Sequence, residues 1–378
     1  MPKPGLEKLR QDDYFRALDY WLLVPVLCIT LIGLSALNAV LVTGTTYPMS
    51  FYRQLGAVLL GILCALVISL LEVPLLKVLG IAMYAISILL LFLVRFTPLG
   101  FDPNMSGSRS WLSLPIVGSF QPSELSKAGL AMVSAYILEA IRLKRFGSRN
   151  ALKGFALLAG ACLPVIGLVL LQPDFGTAMV VVVMLAVMIF AWGIRLRFVL
   201  LALSGAVVAV PVFFTTVLKP YQQDRILTFL FPEYDPTATF HVTQSRLAIQ
   251  SGGILGNPDG LTVYVPEQES DFIFTAVAEK AGLVGTAALF ILIFFFIARS
   301  FYIASKVQRP SSSLVITGLA SVLAFHYIEN LGMCVGLLPI TGIPLPFMSY
   351  GGTAMIVSYV SLGIMLSVSM DRNLAGKT

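Results

Sequence analysis

PEQESDFIFTAVAEKAGLVG, residues Pro266 to Gly285, carries a polar and acidic loop straight into an apolar helix. Asp271 stands at the junction of the two and is followed at once by Phe-Ile-Phe. A carboxylate with water on one side and a low-dielectric layer on the other is well placed to act as a general base. Aspartate is also a preferred N-cap residue, so the alternative interpretation is that Asp271 only begins the helix. We predict that Asp271 is a catalytic residue.

The composition of the whole chain indicates whether that helix is surrounded by water or by lipid. Of the 378 residues, 57% are hydrophobic and 12% are charged, whereas a soluble domain has about 25% charged residues. This composition predicts an all-α integral membrane protein. The four cysteines lie inside apolar runs and the two histidines are far apart, so we predict neither a disulfide framework nor a metal site.

Apolar stretches long enough to cross a membrane recur along the chain. We predict about ten transmembrane helices, at roughly 20–42, 54–72, 75–96, 123–142, 154–171, 175–193, 198–217, 272–298, 314–337 and 351–370. A long extracytoplasmic loop, 218–271, separates the seventh from the eighth, and loops of that length are generally functional or disordered. Residues 1–378 are predicted to form a single polytopic membrane domain, with an N-terminal segment at 1–17 and a tail at 371–378.

The basic residues set the predicted orientation. With the N-terminus in the cytoplasm, about 17 of the 25 Lys and Arg residues fall on the inner side, as the positive-inside rule requires. The net charge of +6 is therefore interpreted as a topology signal, and nucleic acid is not a predicted partner. The even number of helices returns the C-terminus to the cytoplasm. Asp271 then lies on the outer side.

Further polar residues lie at the outer ends of the predicted helices. Arg53 is at the start of the second, where a lone Arg commonly reaches toward lipid headgroups. Glu124 and Lys127 share one face of the fourth helix one turn inside the membrane, and we expect them to face a cavity because charge is costly in lipid. A pair that only holds two helices in register is the alternative. Asp174, in a tight turn, is expected to be structural.

Residues 336–352 contain three prolines and four glycines, yet the stretch is largely apolar. It cannot continue a helix. Irregular backbone at membrane depth is tolerated only where it is buried in protein or lines a wet cavity. We therefore predict that this stretch, which we call the wall, is a re-entrant segment beside a cavity, with Pro344 and Ser349 supporting it.

Five motifs together resemble the SEDS family, the shape, elongation, division and sporulation proteins that include RodA, FtsW and SpoVE. The match runs from the first predicted helix to the last, with the motifs in the family's order. The motifs are QPSELSK at 121–127, QPDFGT at 172–177, QSRLAIQSGG at 244–253, PEQESDFIF at 266–274 and LPITGIPLPFMSYGG at 338–352.

The resemblance implies a ten-helix peptidoglycan glycosyltransferase of the bacterial cytoplasmic membrane. Such an enzyme polymerises lipid II into glycan strands and works with a class B penicillin-binding protein, the transpeptidase. In this family the acidic residue that matches Asp271 is the catalytic one. The segment at 221–226, YQQDRI, resembles the elongation type, RodA, which serves cell elongation and shape.

The implied reaction needs one base and a cationic site for the leaving diphosphate. Asp271 is predicted to deprotonate the acceptor hydroxyl, and a single displacement would invert the anomeric carbon as undecaprenyl diphosphate leaves. A Mg²⁺ or Mn²⁺ ion could assist the diphosphate, but no DxD-like motif supplies ligands. The predicted diphosphate-binding residues are Arg53, Arg109, Lys127, Arg225 and Arg246. The predicted supports of the cavity are Glu124, Asp174, Glu279, Pro344 and Ser349.

The chain departs from the family pattern in four places. The loop before Pro266 is shorter than usual, and the glycine-rich sequence expected there is reduced to residues 255–260. Glu269-Ser270 stands where the family often has His-Thr, so no histidine role is carried over. Glu279-Lys280 replaces a pair of acids, and Arg109 is the one cation left of a basic pair.

Two other functions stay open at this point. A lipid II flippase would use the same intramembrane charges, but it would need polar residues accessible from both sides of the membrane. A non-enzymatic scaffold of the cell-wall synthesis complex would not need a carboxylate at Asp271.

Overall fold

The computed structural model describes residues 17–41, 48–101, 109–114, 118–145, 151–195, 236–257 and 263–375, with short pieces between 197 and 231. These residues form ten long helices and three short strands. The helices are α1 (Tyr20–Leu41), α2 (Met49–Ser69), α3 (Val73–Phe96), α4 (Pro122–Arg142), α5 (Ala151–Leu171), α6 (Phe175–Trp192), α7 (Pro236–Ser251), α8 (Ile273–Lys306), α9 (Pro310–Cys334) and α10 (Gly352–Ala375).

Eight of these helices are long and apolar enough to cross a membrane, namely α1, α2, α3, α5, α6, α8, α9 and α10. The prediction of a helical integral membrane protein is confirmed. Helix α4 has 21 residues but carries Glu124 and Lys127 in its first two turns. The span predicted at 198–217 falls almost wholly outside the described residues. Most of the large loop predicted at 218–271 is described, and it contains α7.

The inner part of the bundle is formed by α4, α9 and α10. In their spanning windows, 78% of α9 and 83% of α10 are buried inside the protein, against 28% of α2 and of α3. The side chains that α2 and α3 expose are large and apolar, such as Leu59 and Leu89. Surface of this kind is suited to lipid, because polar groups in hydrocarbon are costly. The polar residues of the chain therefore gather along the inner helices.

A small antiparallel sheet precedes α4, and the sequence analysis missed it. Its strands are β1 (Gly100–Phe101), β2 (Trp111–Leu114) and β3 (Gly118–Phe120), in the order β1-β2-β3. Strands of two to four residues leave too short a pattern to recognise in a sequence. Thr353, at the start of α10, joins this sheet to the bundle: its hydroxyl donates to Ser119 O at 3.3 Å and accepts from Gln121 N at 3.2 Å.

Helix α8 is broken at Gly282, where φ is 59° and ψ is −159°. A turn at residues 251–257, which follows α7, supplies partners for the backbone groups that the break releases. Leu283 N donates to Gly253 O at 2.9 Å, and Val284 N donates to Ile254 O at 3.1 Å. Since lipid offers no hydrogen bonds, a break in a membrane helix needs such partners from the protein. The turn and α8 therefore form one unit.

The contact between this turn and α8 leaves no space for side chains. A Cβ atom added to Gly252 would lie 1.9 Å from Ala278 O, and one added to Gly256 would lie 2.1 Å from Lys280 O. Both neighbours are backbone atoms, so neither can turn away. Only glycine permits this approach.

We expect Gly252→Ala to separate the turn from α8. The added methyl group would overlap Ala278 O, and overpacking of this kind costs about 1–3 kcal/mol or more. The midpoint of thermal unfolding in detergent should fall.

The matched control is Gly160→Ala on α5, where an added Cβ meets nothing within 4 Å. It should change stability by no more than about 0.5 kcal/mol. Equal midpoints for the two variants would contradict the described packing of the turn.

Candidate active site

Asp271 ends a tight turn that immediately precedes α8. The turn begins at Glu267, whose φ is 53°. Its carbonyl accepts from the N–H groups of Ser270, Asp271 and Phe272 at 3.1–3.2 Å. The N-cap residue of α8 is Phe272, so Asp271 stands one residue outside the position that the capping alternative assigned to it. Its side chain is partly exposed, next to a buried helix.

A buried carboxamide ties the Asp271 backbone to both α9 and the wall. Asn330 Nδ2 donates to Asp271 O at 2.7 Å and to Ile343 O at 2.8 Å. Asn330 is fully buried. One side chain therefore fixes the spacing between the turn that carries Asp271 and the wall.

The wall makes a second set of hydrogen bonds to the same turn. Ser349 Oγ donates to Ser270 O at 2.5 Å and accepts from Leu345 N at 2.8 Å. Tyr350 N donates to Glu269 O at 2.8 Å. Ser349, predicted as a cavity support, thus holds the backbone just before Asp271.

Gln54 joins the wall to α2 and was missed by the sequence analysis. Its Nε2 donates to Ser349 O at 2.9 Å and its Oε1 accepts from Gly351 N at 3.0 Å. The residue is 1% exposed. The sequence signal for Gln54 is an amide next to a charged residue, Arg53, at the start of an apolar span.

The wall passes close to the Asp271 carboxylate at Gly342. This glycine has a φ of 73°, and a Cβ added there would lie 3.3 Å from Asp271 Oδ2. A side chain at this position would be strained and would crowd the carboxylate. The Asp271 side chain therefore lies against the bare backbone of the wall.

Glu124 and Lys127 form a buried ion pair, with 2.7 Å between Oε1 and Nζ. Lys127 Nζ also lies 2.9 Å from His326 Nε2, and His326 Nδ1 lies 3.3 Å from Pro344 O. An ammonium only donates, so His326 Nε2 accepts and Nδ1–H donates to the wall. The chain of contacts joins α4, α9 and the wall through a histidine that the sequence analysis left without a role.

These contacts change the part expected of Lys127. The sequence predicts it as a diphosphate ligand, but Lys127 is 2% exposed and its ammonium is engaged by two protein groups. A buried ammonium that is engaged in this way joins α4 to α9, and losing it would leave Glu124 buried without its partner. The structure therefore gives Lys127 a supporting position.

Arg246, which the sequence predicts as a diphosphate ligand, bonds to backbone carbonyls just past the end of α9. Its Nε donates to Val335 O at 3.1 Å and its Nη2 donates to Gly336 O at 3.2 Å. Ser245 Oγ donates to Cys334 O at 2.6 Å. Helix α7 therefore caps the C-terminal carbonyls of α9, which a helix leaves without internal partners.

Of the other predicted cations, Arg53 near the start of α2 and Arg109 just before β2 are exposed. Arg225 lies outside the described residues. Among the four described cations, Lys127 and Arg246 are engaged by other groups of the protein. Within the described ranges, no three His, Cys, Asp or Glu side chains form a group that could hold a metal ion.

The two remaining carboxylates each satisfy backbone N–H groups. Asp174 caps α6: its Oδ1 accepts from Thr177 N at 2.9 Å. Its Oδ2 also accepts from Gln121 Nε2 at 3.4 Å, which joins two of the sequence motifs. Glu279 Oε1 accepts from Val263 N at 2.8 Å and so holds the loop that leads to Asp271.

We expect Lys127→Met to destabilise the fold, because it leaves Glu124 buried without its cation. Breaking a buried pair in this way costs about 3–5 kcal/mol. Adding Glu124→Gln to that variant should recover part of the loss, as should the exchange Glu124→Lys with Lys127→Glu.

Thermal unfolding in detergent measures these effects, with Lys77→Met as the control at an exposed lysine of α3. A Lys127→Met protein that unfolds with the wild-type midpoint would show that the pair is solvated.

Comparisons with known proteins agree on one family. A family model for cell cycle proteins of the FtsW, RodA and SpoVE type matches residues 14–374. The chain is 31% identical over 384 residues to the probable peptidoglycan glycosyltransferase FtsW of Trichlorobacter lovleyi, covering 99% of this chain and 98% of that protein. It is 32% identical over 336 residues to the peptidoglycan glycosyltransferase MrdB of Escherichia coli, covering 86% and 87%.

A solved structure also resembles this chain. It is described as the structural coordination of polymerization and crosslinking by a peptidoglycan synthase complex. One of its chains is 34% identical to the chain described here and superimposes on it with a TM-score of 0.79. The match covers 94% of this chain and 98% of that chain. The chain described here belongs to the family of membrane proteins that contains FtsW, RodA and SpoVE.

Proposed function

We propose that this protein is a peptidoglycan glycosyltransferase that polymerises lipid II into glycan strands. The observation that carries the proposal is Asp271, which is partly exposed while Glu267 and Asn330 hold its backbone and Ser349 holds the carbonyl of Ser270 just before it. Two relatives that match more than four fifths of the chain are named peptidoglycan glycosyltransferases.

In the proposed reaction, Asp271 takes the proton of the acceptor sugar's 4-hydroxyl as its oxygen attacks C1 of the donor sugar. The bond from C1 to the diphosphate oxygen breaks, and undecaprenyl diphosphate leaves with the bonding electron pair. One displacement at C1 inverts its configuration. The proton ends on the Asp271 carboxylate, and the negative charge ends on the diphosphate.

The fixed backbone of Asp271 favours the rate of this step. A base that is already aimed at the acceptor need not be ordered when the substrate binds, and small misplacements of reacting groups can cost about 10²-fold in rate. Three separate elements, namely α8, α9 and the wall, fix the turn that carries the carboxylate.

Arg53 is the best-supported ligand for the leaving diphosphate among the described cations. It is exposed, and the adjacent Gln54 bonds to the wall beside Asp271. A guanidinium matches the geometry of phosphate oxygens. Arg109 and Arg225 remain further predicted ligands.

Asp271→Asn should abolish glycan synthesis while the protein stays folded in the membrane. Loss of a general base costs about 10²–10⁴-fold in rate. The assay is polymerisation of purified lipid II with no other enzyme present.

The control for this variant is Glu72→Gln, which neutralises a carboxylate at the start of α3, away from the described site. It should polymerise lipid II as the wild type does. Near-normal synthesis by Asp271→Asn would remove the base from the mechanism.

We further propose that the site faces the outside of the cytoplasmic membrane, with both termini in the cytoplasm. At the other end of the bundle, Arg299 and Asp19 form two hydrogen bonds of 2.8 and 3.2 Å. Ser369 also donates to Asp19, which is 3% exposed. A flippase needs polar residues accessible from both sides, whereas these described charged groups are paired with each other, which supports a polymerase that takes lipid II from the outer leaflet.

A class B penicillin-binding transpeptidase is the proposed partner. The supporting observation is the similar chain found in a synthase complex that coordinates polymerization and crosslinking. The assignment to cell elongation rests on the sequence at 221–226 alone, because the relatives named FtsW and MrdB are 31% and 32% identical.

The orientation can be measured with single cysteines in a variant without the four natural ones. A membrane-impermeant thiol reagent added to intact spheroplasts should label Tyr264→Cys, in an exposed loop before Asp271. It should not label Gln308→Cys, between α8 and α9, until the membrane is opened. The reverse pattern would place Asp271 in the cytoplasm and contradict the proposed use of outer-leaflet lipid II.

A further inference from the structure

Helix α9 presents three buried polar side chains to the wall. His326, Glu329 and Asn330 are 4%, 2% and 0% exposed, and their spacing places them on one helix face. His326 and Asn330 donate to wall carbonyls, at Pro344 and Ile343. Glu329 differs from both, because its Oε1 accepts from the side chain of Thr341 at 2.9 Å.

Thr341 is confined between two helices. Its Cβ lies 3.3 Å from the place that a Cβ on Gly176 would occupy, so α6 limits the space on one side. On the other side, the Glu329 carboxylate accepts the hydroxyl hydrogen. A threonine side chain chooses among staggered rotamers, and this hydrogen bond selects the one that faces α9.

The residue after Thr341 is Gly342, where the wall meets the catalytic carboxylate. The position of an added Cβ on Gly342 lies 3.3 Å from Asp271 Oδ2. Consecutive Cα atoms are about 3.8 Å apart, so a rotation of the Thr341–Gly342 peptide moves this contact directly. Fixing Thr341 therefore fixes the surface against which the Asp271 side chain rests.

Burying a carboxylate at position 329 costs free energy unless a hydrogen-bond or charge partner compensates for the lost water. Burying it requires the loss of water, whereas an apolar side chain of similar size would be buried favourably. Glu329 belongs to neither of the two ion pairs among the described residues. Its described partner is the Thr341 hydroxyl, so the acceptor it supplies there explains its presence.

We propose that Glu329 is a positioning residue for Asp271. By accepting from Thr341, it holds the Thr341–Gly342 peptide against the Asp271 carboxylate and so sets the direction in which the base points. The consequence for catalysis rests on the proposed polymerase function; the packing itself does not.

Four variants test the hydrogen bond. Glu329→Leu removes the acceptor, whereas Glu329→Gln keeps an amide oxygen; Thr341→Val removes the donor, whereas Thr341→Ser keeps a hydroxyl. We expect the Leu and Val variants each to lower kcat about 10- to 100-fold with little change in KM. The Gln and Ser variants should stay close to the wild type. The Leu and Val double variant should be no slower than the slower single variant, because both remove one interaction.

A second measurement needs no turnover. Carbodiimide with glycine ethyl ester labels accessible carboxylates, and mass spectrometry reports the rate at Asp271. The Leu and Val variants should raise this rate several-fold, and the Gln and Ser variants should leave it unchanged. The matched control is Glu139→Leu, which removes a carboxylate that accepts from Ser311 N at the other end of α9. It should not change labelling at Asp271.

Wild-type kcat and labelling in Glu329→Leu or Thr341→Val would overturn the proposal, as would a double variant whose loss is the product of the single losses. If Glu329→Leu does not fold, the Thr341 pair decides by the same criteria. A wild-type protein that makes no glycan but shows the expected labelling pattern would overturn the polymerase function and leave the positioning role in place.

Discussion

Backbone N–H and C=O groups that leave helical geometry inside a membrane must find partners in the protein, because lipid offers none. This chain leaves helical geometry at three neighbouring places: the break in α8, the turn before Asp271 and the wall. Each place is satisfied by another part of the chain. The turn after α7 serves the break, while Gln54, Asn330 and Ser349 serve the other two. The requirement for hydrogen bonds therefore also assembles the site.

The same network determines how firmly the proposed base is held. Buried polar networks are rigid when every member is satisfied and unstable when one is missing. Asn330 illustrates the point, since its Nδ2 donates two hydrogen bonds shorter than 3 Å that join two different segments. The proposed base can thus keep a fixed position, because Asn330 and Ser349, which hold the turn, are buried while Asp271 is partly exposed.

Some of this could be predicted from the sequence because the signal was local. Long apolar runs predicted the membrane helices, and the sequence around Asp271 predicted that a loop meets a helix there. The prolines and glycines after α9 predicted an irregular segment. These inferences need only neighbouring residues. A long apolar run and a segment rich in proline and glycine each restrict the backbone locally, whatever the rest of the chain does.

What could not be predicted depends on contacts between distant residues. From the sequence, Arg246 is a basic residue in a polar loop; in the structure it lies within α7 and bonds to two carbonyls just past the end of α9. From the sequence, Lys127 is a cation near a helix start; in the structure it contacts His326, which is 199 positions away in the chain. Gln54, Glu329 and Asn330 carry no signature of their own, since an amide or a carboxylate in an apolar helix has many possible partners. The sequence order does not tell which partner the fold supplies.

The bond from Gln54 to Ser349 spans 295 positions of the chain. Ribosomes add about 5–20 residues per second, so α2 waits roughly 15–60 s in the membrane before its partner is made. During that interval the amide of Gln54 has neither of its described partners, because Gly351 is made later still. These bonds can form only after α9 and the wall have been synthesised. Until residues 349–351 are made, the growing chain lacks the contacts that assemble the site, so a chain that stops before them carries Asp271 without that support.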